Sequence, residues 1–277
     1  MLLKGRIVEI NKPLTMGIVN ITSDSFYKNS RHNADEDLLK KVGIMVDEGL
    51  DILDLGAYST RPGADEVPME RETESLCRAI EMVRSTFQDI IISADTFRAD
   101  VARQAVKSGA DIINDIGGGN LDDKMFETIA ELRVPYILMH SRGNPQTMKE
   151  LSEYADVVND VVFELSKKID ELRKLGVNDI IIDPGFGFAK NIEQNFEMLR
   201  RLNEFEILNC PLLVGISRKS MIWKTLNIDA DQALNGTTVL NTFALQKGAS
   251  ILRVHDVKEA RETIDLCSKL FQRKLHE

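Results

Sequence analysis

Eight short apolar segments, each about as long as a β-strand, recur along the chain and alternate with longer, more polar segments. They are nearly continuous apolar runs, which is typical of parallel strands covered on both faces. The segments are 14–20, 51–57, 90–96, 111–117, 135–140, 179–185, 211–217 and 251–256. A sheet of eight buried parallel strands constrains the fold more than any other feature of this sequence.

Helical periodicity follows the predicted strands. It is clearest at 153–173, where apolar residues recur every three or four positions and Gly176 stands where a helix would end. The other predicted helices are 35–50, 70–87, 98–108, 122–132, 191–207, 230–247 and 258–272. Eight strand–helix units predict an α/β fold of the closed (β/α)8 TIM barrel type, with an open doubly wound sheet as the structural alternative.

The barrel accounts for nearly the whole chain. Its strands and helices are predicted over about 13–273, and we expect residues 1–10 to form a short strand or hairpin that closes the barrel bottom. A length of 277 residues suits one α/β barrel. No linker or low-complexity tract interrupts the pattern, so a single domain over 1–277 is predicted.

Charge and cysteine content narrow the class of protein. The net charge of −9 argues against nucleic acid or an anionic membrane surface as a partner. The chain has no apolar run of about 18 residues, so no membrane span is predicted. Cys77, Cys210 and Cys267 are odd in number and widely spaced, as expected of free thiols. We therefore expect a cytoplasmic protein whose partners are small molecules.

Polar residues stand at the C-terminal ends of the predicted strands. In a TIM barrel these ends open on one face, where the active site is built. One such residue is more often a turn former or a helix cap, but eight strand ends in succession predict a polar site. These residues are Asn20, Thr60, Arg61, Asp95, Asn114, His140, Asp183, Lys219, Ser220, Arg253 and His255.

The segments around these residues resemble the dihydropteroate synthase family. The matching segments are MGIVNITSDSF (16–26), STRPGA (59–64), SADT (93–96), NDI (114–116), DPGFGFAKN (183–191), GISRKS (215–220), NGT (235–237) and QKGASILRVHDV (246–257). They run from the first predicted strand to the last in the family's order. The resemblance implies a transferase of folate biosynthesis, commonly a homodimer. It condenses 6-hydroxymethyl-7,8-dihydropterin diphosphate with p-aminobenzoate to give 7,8-dihydropteroate and pyrophosphate.

The resemblance also implies a role for each candidate site residue. Those implied to bind the pterin diphosphate are Thr60, Asp95, Asn114, Asp183, Lys219, Arg253 and His255. Those implied to bind p-aminobenzoate are Thr60, Arg61, Pro62, Phe188, Lys219 and Ser220. Asp95, Lys219, Arg253 and His255 are implied to be catalytic. Asn20 is implied to be the one protein ligand of Mg²⁺, a cation that is often held by substrate phosphates and a single protein group.

Simpler structural roles remain open for several of these residues. Asn20 would serve equally as a cap, and Asp183 as a turn former before Pro184. Arg61 would suit a solvated loop, Phe188 a core position, and His255 a core histidine bonded to the backbone. The basic residues expected to concentrate positive charge at the barrel mouth are Arg61, Arg218, Lys219 and Arg253.

Two other functions fit a pterin-binding barrel. One is a methyltransferase that uses methyltetrahydrofolate, and the other is a paralogue that binds pterin without catalysis. Asn20, Arg253 and His255 argue against the non-catalytic paralogue. The methyltransferase needs no pyrophosphate site and no aryl acid pocket. The segments STRPG, SRKS and RVHD therefore favour the synthase.

Overall fold

The computed structural model describes residues 2–3, 6–7, 10–21, 31–58, 67–143 and 151–270. Within these ranges eight parallel strands form one sheet. The strands are β1 (Leu14–Asn20), β2 (Ile52–Gly56), β3 (Ile91–Asp95), β4 (Ile112–Asp115), β5 (Tyr136–Met139), β6 (Ile180–Asp183), β7 (Leu213–Val214) and β8 (Ile251–Val254). All eight lie inside the predicted segments.

The sheet closes on itself. From β1 to β6 each strand pairs with the next in the sequence, and β8 pairs with both β1 and β7. A parallel bridge between Ile182 and Leu212 joins the remaining two edges. The predicted (β/α)8 barrel is confirmed, and the open doubly wound sheet is not observed.

Helices cover the outside of the barrel. They are α1 (Arg31–Asp47), α2 (Met69–Thr86), α3 (Ala99–Lys107), α4 (Met125–Leu132), α5 (Val157–Lys174), α6 (Ile192–Arg200), α7 (Ser220–Leu226), α8 (Leu234–Gln246) and α9 (Val257–Leu270). Helix α5 begins after Asp156, whose side chain accepts hydrogen bonds from the N–H groups of Val158 and Asn159. No helix in the described ranges is both long and apolar enough to span a membrane.

Two helical predictions differ from the structure in detail. The segment 191–207 is not one helix, because α6 ends at Arg200 and a 3-10 helix follows over Leu202–Leu208. The segment 230–247 begins with a 3-10 turn at Ala230–Gln232 before α8. Helix α7 is an additional element between β7 and α8.

The predicted N-terminal hairpin is present. Leu2–Leu3 pairs antiparallel with Arg6–Ile7. Ile10, which follows the hairpin, packs against the apolar side chains inside the barrel. The chain therefore enters the barrel across its N-terminal end.

The inside of the barrel changes from apolar to polar between two successive layers of side chains. The lower layer is fully buried and consists of Met16, Ile52, Ile112, Ile137, Ile181, Leu213 and Ile251. Residues two positions further along a strand project from the same face, so they form the layer above. Polar members of this upper layer are Asp54, Ser93, Asn114, Asp183 and Arg253. The apolar layer thus forms the base of a polar cup that opens at the C-terminal ends of the strands.

Candidate active site

Arg253 on β8 lies between the carboxylates of two other strands. Its Nε atom donates to Oδ2 of Asp54 over 2.7 Å, and its Nη2 atom donates to Oδ2 of Asp95 over 2.7 Å. The Asp54 side chain is completely buried, and that of Asp95 is 14% exposed. Burial raises the pKa of Asp95, and the charge of Arg253 opposes the shift. Arg253 is therefore the counter-ion that allows two carboxylates to lie inside the barrel.

Asn114 on β4 is oriented by the same buried carboxylate. Its Nδ2 atom donates to Oδ2 of Asp54 over 3.1 Å, so Oδ1 points to the other side of the amide. Ser93 is also fully buried in this layer, and its hydroxyl has no hydrogen-bond partner among the described residues. Carboxylates, an amide oxygen and a hydroxyl together can accept hydrogen bonds from a flat polar ligand.

Asp183 and Lys219 form the other side of the cup. Asp183 Oδ1 accepts from the backbone N–H of Gly185 over 2.8 Å, which is the turn role expected of an Asp before proline. Burial raises the pKa of Asp183, and the charges of Lys219 and Arg253 oppose the shift. Burial also lowers the pKa of Lys219 to about 8, with Asp183 opposing. Asp183 therefore supports the turn and also faces the two cations of the site.

Three further predicted residues lie at the rim. His255 is exposed, and its Nδ1 atom lies 3.1 Å from the hydroxyl of Ser217. Phe188 is half-buried, with the Lys219 Nζ atom 4.8 Å from the centroid of its ring. Asn20 is exposed at the end of β1. His255 and Phe188 are therefore available to a ligand rather than enclosed in the core.

Most of the predicted site residues lie close together in the structure, and a few lie outside the described residues. Asp95, Asn114, Asp183, Lys219 and Arg253 come from five different strand ends and meet at one face. Ser220 is half-buried at the start of α7. The predicted residues Thr60, Arg61 and Pro62 lie outside the described residues.

The prediction that Arg218 adds positive charge to the barrel mouth is wrong. Its guanidinium forms a two-pronged ion pair with Asp256, over 2.8 Å and 2.9 Å, and also donates to the carbonyl of Asp231 over 2.6 Å. These bonds hold together the loops that follow β7 and β8. Its charge is neutralised there, so Arg218 does not add to the positive charge of the cup.

The chain is similar to known proteins along most of its length. The sequence model of a family described as "Pterin binding enzyme" matches residues 16–255. The dihydropteroate synthase of Escherichia coli K12 is 40% identical over 263 residues, which cover 94% of this chain and 93% of that protein.

The fold is also similar to that of solved protein structures. The dihydropteroate synthase of Yersinia pestis, solved as a sulfonamide drug complex, has a TM-score of 0.90 at 34% identity and covers 99% of both chains. That of Xanthomonas albilineans, solved with 4-aminobenzoic acid, has a TM-score of 0.87 at 35% identity and covers 96% of both chains. Another structure of the Xanthomonas protein contains 7,8-dihydropteroate, with a TM-score of 0.84 at 32% identity and 96% coverage of both chains.

The chain belongs to the dihydropteroate synthase family. These matches confirm the family and the class of transferase that the sequence motifs predict.

Sequence reasoning missed one residue at the centre of this dihydropteroate synthase site. Asp54 contacts both Asn114 and Arg253, although it was not among the predicted site residues. The signal was an ionisable residue inside the apolar run Ile52–Gly56, where burial without a partner is costly.

A second buried polar group lies behind the site. His140, which is 3% exposed, follows β5, and its Nε2 atom lies 2.9 Å from Oε2 of Glu164. Hydrogen bonds from His140 and Arg142 lower the pKa of Glu164 to about 2, so this carboxylate is an acceptor at neutral pH. His140 therefore donates through Nε2, which leaves Nδ1 as the acceptor for the Lys190 Nζ atom at 3.0 Å. Burial lowers the pKa of His140 to about 4, with the charge of Lys190 adding to the effect.

Acid is expected to destabilise the protein between pH 6.5 and about 4 because of His140. In this range the unfolded chain protonates the imidazole and the folded protein does not, so the free energy of unfolding falls with the pH. The full shift in the pKa of His140 corresponds to a loss of about 3 kcal/mol in the free energy of unfolding. The urea midpoint of unfolding can be measured by far-UV circular dichroism. It should depend less on pH across this range in the His140→Asn variant than in the original protein. An equally steep dependence in both proteins would show that His140 is not buried in its neutral form.

Proposed function

We propose that this chain joins 6-hydroxymethyl-7,8-dihydropterin diphosphate to p-aminobenzoate. The bond between the pterin methylene carbon and the diphosphate oxygen breaks, and the amine nitrogen of p-aminobenzoate forms the new bond to that carbon. The products are 7,8-dihydropteroate and pyrophosphate, and the amine loses a proton. One observation carries the proposal: carboxylates and an amide converge with Arg253 and Lys219 in one cup of a dihydropteroate synthase barrel.

The floor of the cup suits the pterin ring. Asp95 and Asp183 would accept from its amino and ring N–H groups, and Asn114 and Lys219 would meet the remaining edge. The orientation that Asp54 imposes on Asn114 supports this assignment, because it presents an amide oxygen as an acceptor. The same carboxylates would stabilise positive charge that develops on the pterin methylene as the leaving group departs.

The rim suits the other two groups. Arg253 on β8 and His255, which follows the end of that strand at the rim, would both stabilise the departing pyrophosphate. Phe188, Lys219 and Ser220 would bind p-aminobenzoate, together with Thr60, Arg61 and Pro62 outside the described residues. Ser220 begins α7, and the first N–H groups of a helix generally favour a carboxylate.

The assay is the formation of 7,8-dihydropteroate and pyrophosphate from the two substrates with Mg²⁺, measured by mass spectrometry. The Asp95→Ala variant is expected to lower kcat/KM by ~1000-fold and to lose binding of 6-hydroxymethylpterin. Arg253→Lys is expected to lower kcat while keeping this binding, because the variant leaves a cation between Asp54 and Asp95. Asp51→Ala is the control, since Asp51 pairs with Arg261 at the opposite end of β2.

The outcomes separate the proposal from its rivals. Pterin binding without any product would indicate the non-catalytic paralogue, and methyl transfer from methyltetrahydrofolate would indicate the methyltransferase. Near-normal turnover in both variants would contradict the roles given to Asp95 and Arg253. Loss of activity in Asp51→Ala as well would mean that the assay reports folding.

We extend the proposal to Mg²⁺ bound by Asn20. The described residues contain no cluster of three or more His, Cys, Asp or Glu side chains that could hold a metal. Asn20 is exposed at the rim, and an asparagine there fits a Mg²⁺ ion that takes its other ligands from water and substrate oxygens. When bound, the ion would neutralise charge on the diphosphate.

The Asn20→Ala variant tests this assignment. Pyrophosphate binding is measured by calorimetry, and the Mg²⁺ concentration that it requires is expected to rise ~10-fold in this variant. Asn20→Asp, which keeps an oxygen ligand, should bind at least as well as the original protein. An unchanged Mg²⁺ requirement in Asn20→Ala would remove Asn20 from the metal site.

We also propose a homodimer formed through α7, α8 and α9. Exposed apolar side chains on these neighbouring helices support it: Leu226, Val239, Leu266 and Leu270. Analytical ultracentrifugation should give twice the mass of one chain, and Val239→Glu should shift the protein towards monomer. A monomer at micromolar concentration would contradict the proposal.

We also propose that the protein is cytoplasmic. This location is supported by the three free thiols, Cys77, Cys210 and Cys267.

A further inference from the structure

The loop between β6 and α6 has an unusual backbone. Gly185, Gly187 and Ala189 all have positive φ angles, of 73°, 80° and 49°. A Cβ atom at Gly185 would lie 2.0 Å from the carbonyl oxygen of His140, so only glycine fits there. The left-handed conformation of Ala189 is unfavourable for a residue that has a Cβ atom. A loop with these conformations needs contacts that hold it in place.

Lys190 supplies these contacts from inside the loop. Its Nζ atom donates to the carbonyl oxygens of Gly185 and Phe188, over 3.1 Å and 3.0 Å, and to Nδ1 of His140 over 3.0 Å. An ammonium group has three hydrogens, and each has one acceptor here. Lys190 is 9% exposed, so water cannot readily replace these partners.

His140 and Glu164 complete the set of contacts. Because the Glu164 carboxylate accepts from Nε2 of His140, the imidazole keeps a lone pair on Nδ1 for Lys190. Burial lowers the pKa of Lys190 to about 7, and the charge of Asp183 opposes the shift. The three acceptors match the protonated amine, because a neutral amine would leave one of them without a donor.

The loop held in this way touches Lys219. The carbonyl oxygen of Phe186 accepts a hydrogen bond from the Lys219 Nζ atom, and the ring of Phe188 lies beside the same atom. Both contacts depend on the path of the backbone between Gly185 and Phe188, which Lys190 spans. Asp183 is different, because strand pairing fixes its backbone and its carbonyl accepts from the N–H of His140 over 2.9 Å.

We propose that Lys190 is a positioning residue for p-aminobenzoate. By holding the carbonyls of Gly185 and Phe188 together, it sets the positions of the Phe188 ring and the Lys219 amine. The inference rests on the proposed function, which places these two groups in the p-aminobenzoate site. It assigns Lys190 no contact with either substrate.

The test is the Lys190→Met variant, in which a neutral side chain of similar length cannot donate. We expect the KM for p-aminobenzoate to rise ~10-fold, and the KM for the pterin diphosphate to change less than ~3-fold. Lys219 also meets one edge of the pterin, so the second KM is expected to rise slightly. The rise is small because Asp95 and Asn114, which make other pterin contacts, lie on strands that are independent of the loop. Lys168→Met is the matched control, since Lys168 donates to the carbonyl of Gly118 over 2.6 Å in the loop after β4. It should leave both KM values within ~2-fold.

An unchanged KM for p-aminobenzoate, an equal rise in both KM values, or a change in kcat alone would overturn the inference. Circular dichroism checks that the variants fold, and Lys190→Gln, which keeps a shorter polar donor, provides the same comparison if Lys190→Met does not fold. If the unaltered protein makes no dihydropteroate, the proposed function fails. If it does so and the variants show no selectivity, only the positioning role fails.

Discussion

The ion pairs of Arg253 with Asp54 and Asp95 are the interaction on which the site depends. Two carboxylates from adjacent strands are held where little water reaches them, and burying a charged group without a partner is costly. Arg253 reaches both from β8, so one side chain connects three strands of the barrel. Removing one member would leave a buried charge without a partner, which is usually far more costly than the pair is stabilising.

The apolar layer beneath makes this arrangement possible. Met16, Ile52 and Ile251 are completely buried. They belong to the layer directly below the polar groups of the cup. They exclude water from below, so the charges above face one opening. Electrostatic interactions are stronger in such a partly dehydrated cup than at an open surface. A ligand that enters the mouth therefore meets hydrogen-bonding groups that are already oriented.

The positions of most candidate residues could be predicted from the sequence for a simple reason. In a parallel barrel all strands end on one face, so a polar residue at the end of a strand has a predictable neighbourhood. Asp95, Asn114 and Asp183 follow this rule. Asp54 does not, because it lies inside its strand, and only the alternation of facing side chains places it in the cup.

Other assignments depended on partners that are distant in the chain. Arg218 resembles a mouth cation in sequence, but Asp256, on the loop after the next strand, neutralises it. Lys190 lies in a recognisable motif, yet its role follows from His140, fifty positions earlier. Side-chain direction beyond a strand end is set by such contacts, and local sequence patterns do not contain them.

The sequence alone determined the eight strand–helix units, the face on which polar residues gather, and the family. These features follow from short-range periodicity and from motifs that are contiguous in the chain. Only the tertiary structure decided which charges pair with each other, that Arg253 lies between two carboxylates, and that Lys190 is enclosed by three acceptors. Those outcomes depend on distances of a few ångströms between residues far apart in the chain, and such distances exist only once the barrel has closed.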